Sequence, residues 1–142
     1  MKHAVLILTL VAALVAPAVF VSAQTAPAAG SLGSVTLNRR VMADGQPLAP
    51  GTYQVRLSAD MPKPGVGQSP DAARYVEFVR SGKVVAREVA TVVSAADLAQ
   101  IVKGAKPAPG TAKVELLKGD DYVRVWINRG GVNYLIHLPA AA

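Results

Sequence analysis

Three stretches near the C-terminus alternate apolar and polar side chains and are separated by short turns that contain glycine. They run over Lys113 to Lys118, Asp121 to Asn128, and Val132 to Leu138. Alternation with a period of two places successive side chains on opposite faces of an extended strand, so each stretch predicts a strand with one buried face. Gly119 and Gly130 tolerate the positive φ angles that tight hairpin turns require. The pattern therefore predicts an antiparallel meander.

The alternation also predicts which residues of the meander face each other. If each turn has two residues, Val125 lies opposite Val114 on one side and Tyr134 on the other. These side chains form one apolar face, which we predict is the core face. A shift by one residue would bury Arg124 and expose Val125, so the register is strongly specified.

The remainder of the chain completes a β-rich prediction. Further predicted strands cover Ser34 to Met42, Thr52 to Ser58, Arg74 to Arg80, and Lys83 to Val93. Ala95 to Lys103 is the predicted helix, because Ser94 and Asp97 form a start that resembles a capping box. We predict an all-β antiparallel sandwich of about seven strands with one short helix, and a partly open barrel is the alternative.

The N-terminus has the three parts of a secretory signal peptide in their usual order. Lys2 supplies the positive charge, Ala4 to Val21 is almost entirely apolar, and Ser22-Ala23 offers small residues for cleavage before Gln24. An uncleaved membrane anchor is the alternative, and the proline at position 17 favours cleavage. We therefore predict a signal peptide over 1–23, a flexible lead over 24–33 and the β-sandwich over 34–142. The protein is expected to be exported, either periplasmic or secreted, with no membrane span after cleavage.

Composition narrows the classes of partner and cofactor. The chain has no cysteine, which excludes disulfides and thiolate metal sites. Without Lys2, 14 basic residues stand against 9 acidic ones, a net charge of +5. This moderate charge has no clustered basic run, so we expect no nucleic acid partner. No cofactor is predicted, and the sequence leaves the oligomeric state open.

One segment is similar to a known type of module. The run Leu48-Ala49-Pro50-Gly51-Thr52-Tyr53-Gln54-Val55-Arg56-Leu57 resembles the start of a strand in prealbumin-like β-sandwich modules, which include carboxypeptidase regulatory-like domains. Together with the preceding run from Val41 to Pro47, it also resembles small secreted bacterial proteins of unknown function. We expect Pro50 and Gly51 to make the turn before this strand and Tyr53 to plug the end of the sandwich. The resemblance implies a non-catalytic β module.

Residues that could support catalysis are few. His137 is the one histidine after the predicted signal peptide, so a site with several histidine ligands for a metal is excluded. The chain has no Gly-x-Ser-x-Gly motif and no glycine-rich phosphate loop between a strand and a helix. We therefore predict no catalytic residue, no metal ligand and no enzymatic activity. A hydrolase built on His137 is the least favoured hypothesis.

The face of the meander opposite the core is the first candidate binding surface. In the predicted register Tyr122 lies opposite His137 and Trp126 lies opposite Asn133, with Arg124 between the two aromatic residues. Aromatic rings beside Arg and Asn can stack on sugar rings or anchor a partner protein. The alternative is that a loop or the predicted helix covers this face.

A second candidate is a set of arginines on the other strands. They could form a stripe that binds an anionic surface, or simply a solvated strand face: Arg39, Arg40, Arg56, Arg74 and Arg80. Arg87 shares strand parity with Val85 and Val89, which look buried, so it either pairs with Glu77 or Glu88 or follows a β-bulge. We predict an exported, non-catalytic protein that binds a protein or a polysaccharide, or alternatively a module held at anionic envelope surfaces by its arginines.

Overall fold

The computed structural model describes residues 30–141. The predicted signal peptide over 1–23 and residues 24–29 of the predicted lead lie outside the described residues. The first strand already begins at Ser31, three residues before the predicted start of the domain at position 34. The end of the predicted lead is therefore part of the sheet.

The described chain is almost entirely β-structure, as predicted. Its strands are β1 (Ser31–Leu37), β2 (Val41–Ala43), β3 (Gln46–Leu48), β4 (Gly51–Leu57), β5 (Ala73–Arg80), β6 (Lys83–Ser94), β7 (Ala112–Leu116), β8 (Tyr122–Arg129) and β9 (Val132–Pro139). Seven of them form one antiparallel sheet in the order β1-β4-β5-β6-β9-β8-β7, and β2 pairs with β3. A 3-10 turn covers Pro70–Ala72, and helix α1 covers only Leu98–Ile101, which is shorter than the predicted helix. None of the helices in the described part is long and apolar enough to cross a membrane.

Strand β6 converts the single sheet into two layers. Its residues 83–91 pair with β5, and its residues 90–94 pair with β9. The first layer contains β1, β4, β5 and the start of β6, while the second contains the end of β6, β9, β8 and β7. Strand β1 lies against β7 and β8 across the interior. This arrangement is the predicted antiparallel sandwich.

The β2–β3 hairpin closes the corner where β6 leaves the first layer. Strand β2 contacts both β6 and β9, and Val41 forms a bridge with Ala140. At the tip of the hairpin the backbone N–H of Asp44 donates to Oε2 of Glu88 at 2.8 Å. Val41 is buried on the inner side, so the hairpin extends the core.

The core lies between the two inner faces. Its largest side chains come from both layers and from the hairpin: Phe78, Leu37, Leu48, Ile127, Ile136 and Leu138. Tyr53 is buried at one end, where its ring meets Phe78 edge-on at 6.2 Å and its hydroxyl donates to the carbonyl of Ala49 at 2.6 Å. This position agrees with the prediction that Tyr53 plugs the sandwich end.

The predicted register of the meander is confirmed on one side of β8 and wrong on the other. Val125 pairs with Val114 as predicted, but it pairs with Ile136 rather than Tyr134. The shift of two residues arises because the turn is Gly130-Gly131, with φ angles of 61° and 78°. A tight hairpin turn of this kind needs two positive φ angles, which glycines adopt more readily than arginine. A shift of two keeps every side chain on its predicted face.

A β-bulge in β6 explains Arg87. Phe78 pairs with Ala86 and Val79 pairs with Val84, so Val85 is an extra residue. Beyond the bulge the outward face carries Arg87, and its guanidinium pairs with Asp60 at 3.0 Å rather than with Glu77 or Glu88. The interpretation of Val85 as buried is wrong, since it is 40% exposed.

Candidate binding surfaces

Trp126 lies in a small apolar cluster on the outer face of the second layer. The cluster is separate from the main core and contains Trp126, Val93, Leu98, Val102 and Leu135. Trp126 has 0% of its surface exposed. The indole is therefore completely buried, although it lies on the face that was the first candidate for ligand binding.

The segment over 95–110 forms the cover over this cluster. Leu98 and Val102 from α1 and its end supply the apolar contacts. The carbonyl of Pro107 accepts a hydrogen bond from Nδ2 of Asn128 at 2.9 Å, and the carbonyl of Ala105 accepts one from Nζ of Lys113 at 3.2 Å. These bonds fix the cover to the strands beneath it.

The face of Tyr122, Arg124 and Trp126, which the sequence suggested as a binding surface, is therefore only partly exposed to solvent. Trp126 and Asn133 are both buried, because the cover described above lies over them. The alternative, a face covered by a loop and the helix, is what the structure contains. Tyr122 and His137 remain exposed at the uncovered end, where Tyr122 pairs with Pro139 rather than with His137.

Arg124 is held by neighbouring groups on this face. Its Nε and Nη2 donate to Oε2 of Glu115 at 2.9 and 2.5 Å, and its guanidinium lies 5.5 Å from the centre of the Trp126 ring. Lys113 pairs with the same carboxylate and lies 5.7 Å from the ring. Burial alone would raise the pKa of Glu115, but the hydrogen bonds and charges of Lys113 and Arg124 hold it below its ordinary value. Arg124 thus has a structural role.

His137 is the ionisable group beside Arg124 in the sheet. The two residues pair across β8 and β9. Partial burial of the imidazole lowers the pKa of His137, and the positive charge of Arg124 lowers it further. The ring is therefore expected to be mostly neutral at pH 7, and its surroundings disfavour a cationic role.

The predicted arginine stripe is divided among different parts of the molecule. Arg56 points outward from the first layer and pairs with Glu77 at 2.7 Å. Arg74 and Arg80 lie on the opposite side of β5, in phase with the buried residues Val76 and Phe78. Nε of Arg74 is buried and has no hydrogen-bond partner among residues 30–141. Arg39 and Arg40 lie in the turn after β1. The five arginines therefore do not form one continuous surface.

The outer face of β5 and β6 is a surface that sequence reasoning missed. The guanidinium of Arg87 lies 4.3 Å from the centre of the Tyr75 ring and also pairs with Asp60 of the loop between β4 and β5. Next to this stack, Val89 is 39% exposed and Met61 is 48% exposed. A groove of about 730 Å³ separates the loop from the sheet, lined by Met61, Pro62, Lys63, Gln68, Ala72, Ala73, Tyr75, Val89 and Thr91.

No family model, curated protein or solved structure matches this chain. Its surfaces are accordingly interpreted from their own geometry. In the part of the chain that the structure describes, no group of three or more His, Cys, Asp or Glu side chains could hold a metal ion. The carboxylates of Asp60, Glu77 and Glu115 pair with basic side chains, and that of Glu88 accepts backbone N–H groups.

Proposed function

We propose that this protein is an exported, non-catalytic β-sandwich that binds a partner protein through the outer face of β5 and β6. The observation that carries the proposal is the exposed apolar pair of Met61 and Val89 beside the Arg87–Tyr75 stack. Exposed apolar surface next to a groove is typical of interaction sites, and Tyr and Arg are enriched among the residues that dominate binding energy.

The geometry of the stack favours a protein over a polysaccharide. Arg87 is held in place by the Tyr75 ring on one side and the Asp60 carboxylate on the other, so little side-chain entropy is lost when it contacts a partner. The apolar lining is mainly aliphatic, whereas sugar rings stack on flat aromatic side chains. Lys63, Gln68 and Thr91 supply polar groups around the groove.

Two further observations support an exported protein without catalysis. The N-terminal order of positive charge, apolar run and Ser22-Ala23 is that of a secretory signal peptide. The carboxylates that sit on the sheet, Glu77, Glu88 and Glu115, make structural ion pairs or hydrogen bonds. The similarity of the segment from Leu48 to Leu57 to prealbumin-like modules is consistent with a binding module.

The proposal is tested by site-specific photo-crosslinking in the cell that produces the protein. A photoreactive residue replaces Val89, and the matched control replaces Ala99, which is exposed on α1 in the second layer. We expect a discrete protein adduct from position 89 and none from position 99. Arg87→Ala should weaken the adduct, whereas Arg129→Ala, a control arginine at the end of β8, should leave it unchanged.

Three results would argue against this function. No adduct at position 89, or the same adducts at both positions, would show that the face is not a specific interface. An adduct at position 89 whose added mass is removed by glycosidase would identify a polysaccharide partner instead.

A further inference from the structure

One end of the first layer is basic and carries no carboxylate in its turns. The turns are 38–40 between β1 and β2, 49–50 between β3 and β4, and 81–82 between β5 and β6. They and their flanking strand ends contribute Arg39, Arg40, Arg80 and Lys83. The ion pairs of the described residues use Arg56, Arg87, Lys113 and Arg124 instead. We call Arg39, Arg40, Arg80 and Lys83, none of which is in an ion pair among the described residues, the basic end.

Arg80 is held in a defined position within the basic end. Its Nη1 donates to the Tyr53 hydroxyl at 3.3 Å, and its guanidinium lies 5.2 Å from the centre of that ring. The guanidinium also lies against Gly51, which pairs with Leu37 at the end of β1. Because Tyr53 uses one of the five N–H donors of Arg80, the others remain free to bind an anion.

The closest acidic residues form no ion pair with the basic end among the described residues. Asp120 and Asp121 lie in the β7–β8 turn, which reaches the basic end through two backbone hydrogen bonds: the N–H of Ala140 donates to the carbonyl of Asp121, and the N–H of Ala141 donates to the carbonyl of Arg40. Asp44 is at the tip of the β2–β3 hairpin, which reaches away from the turns to Glu88 in the middle of β6. The four basic residues of the basic end therefore outnumber the two carboxylates of the β7–β8 turn beside them.

Exposed apolar side chains lie directly beside the basic end. Val84 and Val85 follow Lys83 and are 47% and 40% exposed. Positive charges next to exposed aliphatic groups are characteristic of surfaces that bind the interface of an anionic bilayer, where cations meet phosphates and apolar groups enter the acyl boundary. A soluble polyanion would use the charges but gain nothing from the valines.

We infer that the basic end docks on a membrane surface that contains anionic phospholipids. Its charged residues lie at the turn end of the strands and are not those of the Arg87–Tyr75 stack, so the inference does not depend on the proposed partner protein, although Val84 lies on the same outer face of β6. Arg39 and Arg40 supply exposed charges in the turn after β1, Arg80 supplies a positioned guanidinium, and Val84 enters the bilayer interface.

The test is sedimentation with vesicles of phosphatidylcholine alone or with added phosphatidylglycerol. The protein begins at Gln24, which keeps every described strand and removes the apolar run over 1–23. We expect binding only with phosphatidylglycerol, and weaker binding as salt rises. Arg39→Glu with Arg40→Glu should lower the partition coefficient about tenfold or more. The control pair Lys103→Glu with Lys106→Glu changes the net charge equally in the cover over the second layer and should change the coefficient less than about threefold.

Three results would contradict the inference, and one control separates loss of binding from loss of fold. Equal losses in the two double variants would mean that only net charge matters, and binding that ignores phosphatidylglycerol would exclude the basic end. Val84→Gln should also weaken binding, and unchanged binding would exclude insertion of this side chain. A buried Trp126 in each variant, measured by its fluorescence, shows that loss of binding is not loss of fold.

Discussion

The indole Nε1 of Trp126 donates a 2.9 Å hydrogen bond to Oδ1 of Asn133 in a buried site on the outer face of the sheet. Both residues are separated from the main core by the thickness of the second layer. The bond satisfies the polar atom of the indole, so the ring can be buried beneath α1 without an unpaired donor. The outer cluster is therefore a second centre of stability.

Trp126 should behave as a core residue in solution. Its fluorescence should be blue-shifted and protected from an aqueous quencher, because no part of it is exposed. Trp126→Ala should lower the free energy of unfolding by about 3–5 kcal/mol, as for other large-to-small core changes. Trp126→Phe keeps most of the apolar volume and should cost less. A red-shifted, readily quenched emission would contradict the covered arrangement.

Val125 and Arg124 should respond very differently to substitution. Val125→Asp places an unpaired charge in the main core and should prevent folding or destabilise the protein severely. Arg124→Ala removes hydrogen bonds to Glu115 and a contact with Trp126, but Lys113 still pairs with the carboxylate, so a loss of about 1–3 kcal/mol is expected. Denaturant unfolding measures both losses, and a tolerated Val125→Asp would invert the assignment of faces.

Gly51 should be harder to replace than Gly45. A methyl group at Gly51 would lie 2.7 Å from Nη2 of Arg80, and the φ angle there is 145°. At Gly45 the φ angle is 76° and no atom lies within 4 Å of such a methyl group. Gly45→Ala should therefore cost about 1–2 kcal/mol from backbone strain. Gly51→Ala should cost more, because its φ angle lies beyond the left-handed α region, in a range that is almost exclusive to glycine. The guanidinium of Arg80 is the end of a flexible, exposed side chain and can move aside, so adding Arg80→Ala should recover little of the loss, and a large recovery would assign the loss to the contact instead.

Stability should fall on mild acidification because of His137. Its pKa in the folded state lies below the ordinary value of 6.5, so the unfolded chain binds a proton at a higher pH than the folded chain. Neutral His137 therefore makes its full contribution to the free energy of unfolding above pH 6.5, and this contribution is lost as the pH falls through the pKa of the folded state. His137→Gln should flatten the decline in denaturation midpoint as the pH falls below the ordinary histidine pKa of 6.5. An unchanged slope would assign the decline to another group.

The predicted signal peptide gives a direct test of export. N-terminal sequencing of protein from the medium or periplasm of an expressing cell should find Gln24 as the first residue. An N-terminus at Met1 in a membrane fraction would favour the anchor instead. Ala23→Arg should block cleavage, whereas Ala28→Arg, beyond the predicted site, should not.

Most of the strands and both faces of the meander could be predicted from the sequence. Period-two alternation reports which side of a strand is apolar, and Val125 is buried as that pattern requires. The pairing of β8 with β9 was wrong by two residues because the alternation is the same after such a shift. Only the conformational preference of Gly130-Gly131 distinguishes the two registers.

The candidate surfaces depended on contacts that alternation does not report. Alternation shows that Trp126 points outward, but it does not show whether another segment covers the side chain. The cover over 95–110 is mostly a loop, and the sequence pattern does not determine the path of that loop. The bulge at Val85 reversed the parity of β6, so exposed Val89 looked buried. The stack of Arg87 on Tyr75 could have been found from the sequence only by recognising that bulge.

Strand β6 also determines how the molecule comes apart. Ala90 pairs with Arg74 in the first layer and with Ile136 in the second, and Thr91 likewise has a partner on each side. Neither layer can separate without loosening hydrogen bonds that the other layer shares at these two residues. The two halves of the sandwich are therefore expected to lose structure together, in a single cooperative transition, with the amides of Ala90 and Thr91 among the last to exchange with solvent.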